Sequence, residues 1–281
     1  MSKLCFLNSI FKVCMMRRIQ FYEIHEQPWC PAVIRNGVTN YLQFSSNCGN
    51  YFVNIAPKLW QALRYSGTRR IIDLCSGGGG PWFRLRHHLN SVSAEPINIL
   101  LTDKYPNDTA IKKVEETSST QLNYFSIPVD AKQVPKSLEG FRTLFLSFHH
   151  FTVESARTIL QDAVNQNQGI GIFETTERRL MTLVTMLLGL VHVILITPFI
   201  RPFRWSHFFW TIVVPLVPFV VMFDGIVSCF RSYTVKELGE LTSSLERADY
   251  VWEIGWVSIP FSPLRVTYAI GYPKTNKMDV S

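Results

Sequence analysis

Between Arg70 and Thr175 the apolar positions form short runs, and stretches of helical spacing separate them. Arg70-Ile71-Ile72-Asp73-Leu74 is an apolar run ending near glycines, which predicts a strand covered on both faces. Pro81 to Asn90 predicts a helix, with Pro81 in the first turn, where a missing N–H costs nothing. Ile97 to Leu101 predicts the second strand and Asp108 to Glu116 the next helix. Tyr124 to Val129 and Thr143 to Phe148 read as strands three and four. Val153 to Asn165 has helical spacing, with Thr152 as N-cap. Gly169 to Phe173 closes the series as strand five. Strands alternating with helices imply an α/β chain whose mostly parallel sheet has helices on both faces.

The pattern changes at residue 178. Leu180 to Ile200 contains no charged residue, and at about 20 residues it matches the length needed to cross a bilayer core. Phe208 to Phe223 is also uncharged but shorter, and it carries Pro215 and Pro218. Arg201-Pro202-Phe203-Arg204-Trp205-Ser206-His207 forms a basic, aromatic turn between them. The block therefore predicts an apolar helical hairpin. A full crossing, a re-entrant or interfacial hairpin, and a buried cap or dimer interface all remain open. A full crossing would carry Arg201 and Arg204 to the far side, against the positive-inside preference of a cytosol-facing enzyme. After the hairpin, Thr234 and Glu237 suggest a capping box and a helix to about Arg247. Tyr250 to Ile259 and Arg265 to Tyr272 suggest an antiparallel strand pair at the sheet edge. The expected parts are residues 1–66, an N-terminal segment and lid; 67–177, a cofactor-binding core; 178–223, the membrane hairpin; and 224–281, a helix and strand pair completing the sheet.

Composition refines this picture. Of 281 residues, 47% are hydrophobic and 17% charged, which supports a packed core and argues against disorder. Lys plus Arg (28) exceed Asp plus Glu (21), giving a formal charge of +7. The basic residues are scattered, which favours a lipid surface over nucleic acid as partner. The six cysteines show no C-x-x-C spacing and no disulfide-type framework, consistent with reduced thiols facing the cytosol. Met1 to Tyr22 holds no acid and carries Lys3, Lys12, Arg17 and Arg18. A transit peptide or a membrane-surface helix is compatible with it, and so is an organelle membrane.

Asp73-Leu74-Cys75-Ser76-Gly77-Gly78-Gly79-Gly80-Pro81-Trp82 is the sharpest chemical signal. A glycine-rich turn after a buried strand lets a ligand approach the backbone closely. Trp82 occupies the third glycine of a G-x-G-x-x-G fingerprint begun at Gly77, and the G-K-[ST] of a P-loop is absent. The run resembles the cofactor loop of class I S-adenosylmethionine-dependent methyltransferases, an acid followed by spaced glycines. Asp73, Gly77 and Gly79 match, and Cys75 stands at the first glycine. The resemblance extends over residues 70–175 and 224–272. It implies a Rossmann-like seven-stranded sheet of order 3-2-1-4-5-7-6 and S-adenosyl-L-methionine as cofactor. It assigns Asp103, with Lys104 beside it, to the ribose, and Asp130-Ala131 to the adenine. Asp73, Cys75, Ser76, Gly77 and Gly79 fall to the loop. A carboxylate offers two acceptors to a vicinal diol, which suits Asp103.

The end of the fourth strand, Ser147-Phe148-His149-His150, faces the methyl group and acceptor in that family. His149 or His150 can take a proton near neutral pH, and as strand neighbours they are expected to point apart. Metal binding by the pair is not expected, since adjacent residues rarely converge on one ion. Glu174, at the end of the fifth strand, can orient a histidine or the substrate, or pair with Arg178 or Arg179. Glu23 to Pro31, rich in aromatic and polar residues, is the lid candidate by resemblance, or a segment packed on the sheet. These features predict methyl transfer to a small, apolar or membrane-associated acceptor, with the catalytic domain on the cytoplasmic side. The alternatives are an inactive membrane-bound module of the same fold and an RNA or protein methyltransferase. Intact Asp73, Asp103 and Asp130 count against the first. The second is weakened because no Asn/Asp-Pro-Pro-Tyr-type tetrad follows the fourth strand.

Overall fold

The computed structural model describes residues 17–93, 95–117, 119–201, 203–245 and 249–274. The possible transit peptide or surface helix at the N-terminus falls mostly outside them. The chain forms two compact units. One comprises the residues up to Leu42 with Thr176–Thr234; the other comprises Gln43–Thr175 with the residues from Val235 onward.

The second unit is built on one seven-stranded sheet. Its strands are β1 (Arg70–Leu74), β2 (Asn98–Leu101), β3 (Leu122–Tyr124), β4 (Phe141–Phe145), β5 (Ile170–Glu174), β6 (Tyr250–Ser258) and β7 (Arg265–Pro273). The order is β3-β2-β1-β4-β5-β7-β6, as the sequence resemblance implied. β1 to β5 pair in parallel, and β7 runs antiparallel between β5 and β6. Every residue of β4 and β5 is buried, including Arg142, whose guanidinium pairs with Asp162. The core includes Phe52, Trp82, Phe145 and Phe173. Phe145 stacks on Phe173 at 4.7 Å between ring centroids and meets Phe52 and Trp82 edge-on.

The helices that start at Trp82, Asp108 and Val153 fall where the sequence predicts them; two earlier ones carry no sequence expectation, and the first of these begins in the other unit. We number helices in chain order: α1 (Ala32–Cys48), α2 (Ala56–Tyr65), α3 (Trp82–Val92), α4 (Asp108–Glu116) and α5 (Val153–Asn165). Pro81 precedes α3, and Thr152 caps α5 by accepting the Ser155 N–H. Two strands differ from expectation. β3 covers Leu122–Tyr124 rather than Tyr124 to Val129; Pro128 has no N–H for a ladder, and Ile127 before it is exposed outside the strand. β4 ends at Phe145 rather than Phe148. Leu146 takes a left-handed φ of 51° and turns the chain out of the sheet.

The first unit contains α6 (Leu180–Ile196), extended by a 3-10 turn to Phe199; α7 (Trp205–Phe208), continued as a π-helical turn to Val213; and α8 (Leu216–Arg231). Leu180–Phe199 is long and apolar enough to cross a membrane. The segments Trp205–Val213 and Leu216–Arg231 meet at 74°. α8 does not stop with the uncharged stretch at Phe223. It runs on through Asp224, Ser228 and Arg231, whose spacing puts them on one face. A non-helical strap, residues 18–26, covers that face. Arg231 pairs with Glu23 and Glu26, and Ser228 donates to Glu23. Ile19 N–H donates to the Phe230 carbonyl, and Arg18 lies over the Tyr233 ring. One turn earlier, Ile24 and His25 bond to Asp224. The remaining helix, α9 (Val235–Ser243), belongs to the sheet unit and ends short of the expected Arg247.

Candidate functional site

In the sheet unit the strand order reverses between β1 and β4, so the loops leaving their carboxyl ends diverge and open a crevice. The loop after β1 is the glycine run. Cys75 has a φ of 57°, Gly77 of 49°, Gly79 of 97° and Gly80 of 49°. Cys75 thus adopts the left-handed conformation that suits glycine, at the position where the family pattern has one. A side chain at Gly77 would meet nothing within 4 Å, so the loop's backbone is open on that side.

Asp73 lies beneath the loop, 1% exposed. Its two oxygens accept from Ser76 Oγ and Thr143 Oγ1, each at 2.6 Å. Burial pushes its pKa up to about 6, although these two hydroxyls favour the anion. Ser76 also donates to the Asp73 carbonyl. Asp73 and Ser76 therefore shape the turn from below.

Asp103, just beyond β2, reaches the loop directly. Its Oδ2 accepts the Gly77 N–H at 2.8 Å, and its Oδ1 accepts the Tyr105 N–H at 2.8 Å. Partial burial raises its pKa against the pull of those donors. Each oxygen keeps acceptor capacity for a hydroxyl. Asp130 follows β3 after the Pro128 turn. It accepts from Lys104 Nζ at 2.9 Å and from the Lys132 N–H, and these lower its pKa despite the opposing effect of burial. Lys104 thus sits between the two acids and pairs with the second. Ala131 is buried beside it.

The second loop follows β4. Phe148–His150 is a 3-10 turn rather than strand, so neighbouring side chains do not alternate. The rings of His149 and His150 therefore do not point apart; they lie 4.2 Å between centroids, tilted by 35°. Glu174, at the end of β5, binds this turn. Its Oε1 accepts the Phe148 and His149 N–H groups at 2.7 and 3.2 Å, and its Oε2 contacts His149 Nδ1 at 2.8 Å. Burial alone would raise the Glu174 pKa. The charge and hydrogen bonds of His149 overcome it and hold the carboxyl below its ordinary range. Glu174 thus orients the His149 ring through Nδ1. Arg179 pairs with Glu177, within the first unit.

The structure adds residues the sequence did not single out. Thr143, a hydroxyl within a wholly buried strand, was a usable signal because a buried polar group needs a partner. Thr102 Oγ1 donates to the Asp73 carbonyl. Tyr124 donates to the Gly77 carbonyl at 3.1 Å. At the end of α1, Asn47 donates to the Gly80 carbonyl at 2.8 Å and accepts the Arg84 N–H. These contacts span long sequence separations, and no local spacing announces them.

No protein-family model matches the sequence, and no curated protein is similar to it. Solved structures do match. Human N-acetylserotonin methyltransferase in complex with S-adenosylmethionine shares 15% identity at a TM-score of 0.50, over 96% of this chain and 67% of that one. An O-methyltransferase from neocarzinostatin biosynthesis, solved with S-adenosylmethionine and a naphthoic acid, shares 13% identity at a TM-score of 0.42, over 76% and 56%. A methyltransferase from Aquifex aeolicus shares 11% at 0.41, over 76% and 88%. The chain spans about half the length of several of the structures it matches. The fold is the α/β fold of methyltransferases, with an apolar helix after β5.

Proposed function

We propose that this chain is an S-adenosylmethionine-dependent methyltransferase acting on a small, apolar or membrane-associated acceptor, and that its apolar unit attaches it to a membrane. The observation that carries the proposal is Asp103, which clamps the Gly77 N–H of an open, left-handed glycine loop and still has acceptor capacity on both oxygens. These residues fit the cofactor. Gly77 and Gly80 leave room for close backbone approach, Asp103 suits the ribose diol, and Asp130 with Lys104 suits the adenine side. The bound sulfonium supplies an electrophilic methyl whose leaving group is a neutral thioether. His149 removes a proton from the acceptor through Nε2. Glu174 holds the ring in that tautomer and stabilises the cation that forms. Asp73, through Ser76, and Asn47, through Gly80, keep the loop in place.

Calorimetry with S-adenosylmethionine tests the cofactor site. The wild type binds. Asp103→Ala removes two charge-assisted hydrogen bonds of about 1.5–3 kcal/mol each, a loss of roughly 10²- to 10⁴-fold in affinity. Asp103→Asn, which keeps one acceptor, falls between. A folded wild type that binds neither the cofactor nor its demethylated product is instead the inactive module.

Membrane attachment is supported by the exposed apolar residues Leu187, Leu188, Leu195, Phe199 and Trp205. A contiguous surface of this kind is unusual for a protein without a partner. Changing Leu187, Leu188 and Leu195 together to Gln is expected to move the protein from the membrane pellet toward the supernatant. Unchanged pelleting would remove the helix from the anchor.

A further inference from the structure

We infer that the apolar unit lies along one face of the bilayer, its arginine-bearing end among anionic lipid headgroups, and that it does not cross. This rests on the membrane attachment proposed above.

A crossing would use the whole of Leu180–Phe199. These 20 residues reach about 30 Å at 1.5 Å each, the thickness of the hydrocarbon. The partner helix forbids that depth. A side-chain carbon placed on Gly225 would lie 2.7 Å from Met186 Sδ, so Gly225 is level with Met186. Met186 is six residues into the helix, about 9 Å below the surface in a crossing. Asp224 stands beside Gly225 and is bonded to Ile24 and His25. The strap would therefore enter hydrocarbon with its charges and its non-helical backbone, including Tyr22, which is 80% exposed. Lipid-exposed irregular backbone is not sustained there.

A shallow vertical dip fails at the other end. Arg201 and Arg204 are exposed at the turn, and among the described residues neither has an ion-pair partner. A dip would carry both toward the bilayer centre, the costliest place for an unpaired cation.

Lying in the plane satisfies both ends. The exposed apolar residues of α6, among them Leu180, Val184, Leu187, Val191 and Leu195, recur at helical spacing along a single stripe. Leu216, Phe219 and Phe223 form another on α8. The 74° bend lays Trp205–Val213 across the end of α8 instead of extending it. Trp205 and the two arginines then sit at headgroup level, the aromatic ring at the interface and the guanidiniums on lipid phosphate.

Two measurements on the full chain test this. The first uses vesicles of phosphatidylcholine alone and vesicles of three parts phosphatidylcholine to one part phosphatidylserine. The wild type is expected to bind the anionic vesicles more tightly. The double variant Arg201→Gln/Arg204→Gln should lose roughly 30-fold on those vesicles and little on the neutral ones, about fivefold per arginine. Equal loss on both would overturn the headgroup role. The second uses sealed membrane vesicles from expressing cells, oriented so that an impermeant maleimide reaches the exposed native Cys48. Ser206→Cys is expected to add one label to the wild-type count from that same side. An added label that appears only after permeabilisation means that the unit crosses. A chain that binds neither vesicle type and stays in the soluble fraction fails the membrane reading itself, a result distinct from either of these.

Discussion

Each unit holds one histidine against a carboxylate in the same three-bond pattern. In the sheet unit, Glu174 accepts the N–H groups of Phe148 and His149 and contacts His149 Nδ1 at 2.8 Å. In the apolar unit, Asp224 accepts the N–H groups of Ile24 and His25 and contacts His25 Nδ1 at 2.8 Å. The surroundings differ. Glu174 ends a strand paired on both sides, so its position is set by the sheet. Asp224 stands on a helix, and Glu23 and Glu26 add their charges around His25. Burial would lower the His25 pKa, but the Asp224 bond and these acids raise it. The same Asp224 bonds tie the strap to α8. A carboxylate–histidine pair is thus no sign of catalysis by itself; its neighbours decide whether it moves a proton or keeps one.

Backbone conformation separates the units in the same way. Asn50, Cys75, Leu146, Asn167 and Phe261 are the non-glycine residues with left-handed φ among those described. All five lie in the sheet unit. Cys75 and Leu146 directly follow β1 and β4, the two strands that flank the crevice. Strain of this kind, of order 1–3 kcal/mol per residue, is characteristic of sites that must hold a geometry.

The comparison is broken most directly by exchanging the roles of the two histidines. His149→Ala is expected to lower kcat about 10²- to 10⁴-fold while leaving cofactor affinity near that of the wild type. His25→Gln should leave kcat within a few-fold. Equal losses in single-turnover assays would make both pairs catalytic, and no loss at His149 would make both structural. The next effect is on stability. Asp224→Ala leaves His25 and the strap without their partner, and removing one member of a buried pair costs about 3–5 kcal/mol. Denaturant unfolding in detergent measures it, and a change below about 1 kcal/mol would show that the strap is not locked there.

A finer test uses pH. A histidine whose folded pKa is raised contributes stability below its ordinary value, and this contribution fades as pH climbs through the folded pKa. His25→Gln should therefore flatten the alkaline decline of Tm. Glu174 is held low, so its contribution is present above the ordinary carboxylate range and fades as pH falls through the folded value. Glu174→Gln should flatten the acid limb. The same limb altered by both variants would contradict the distinction. The smallest effect is at the strained turn. Cys75→Gly relieves the left-handed backbone and should stabilise by about 1 kcal/mol, provided the thiol packs weakly.

The sheet was legible because its strands are buried on both faces and its helices carry local caps, so Asp108–Glu116 and Val153–Asn165 could be bounded from sequence alone. The order of the acids after the glycine loop was legible too, since each follows a strand. The site's inner contacts were not. Thr143 meets Asp73 across 70 residues, and Asn47 meets Gly80 across 33. The histidine turn was misread because the left-handed Leu146 leaves no mark on apolar periodicity. Likewise the uncharged stretch suggested that the second arm ended at Phe223. The polar face from Asp224 to Arg231 continues the helix because a distant strap satisfies it.

That strap also has a consequence for biosynthesis. Its bonds to α8 join residues about 200 positions apart, such as Ile24 with Asp224 and Arg231 with Glu26. At about 5–20 residues per second, a ribosome releases the strap roughly 10–40 s before its partner helix exists. All of β1 to β5 emerges in that interval. The apolar unit therefore cannot close until the helix ending at Arg231 has been made, and until then its acids and its greasy helix stand uncovered. A nascent chain in that condition exposes apolar surface, and the stretch from Leu180 onward sets the moment when that exposure begins.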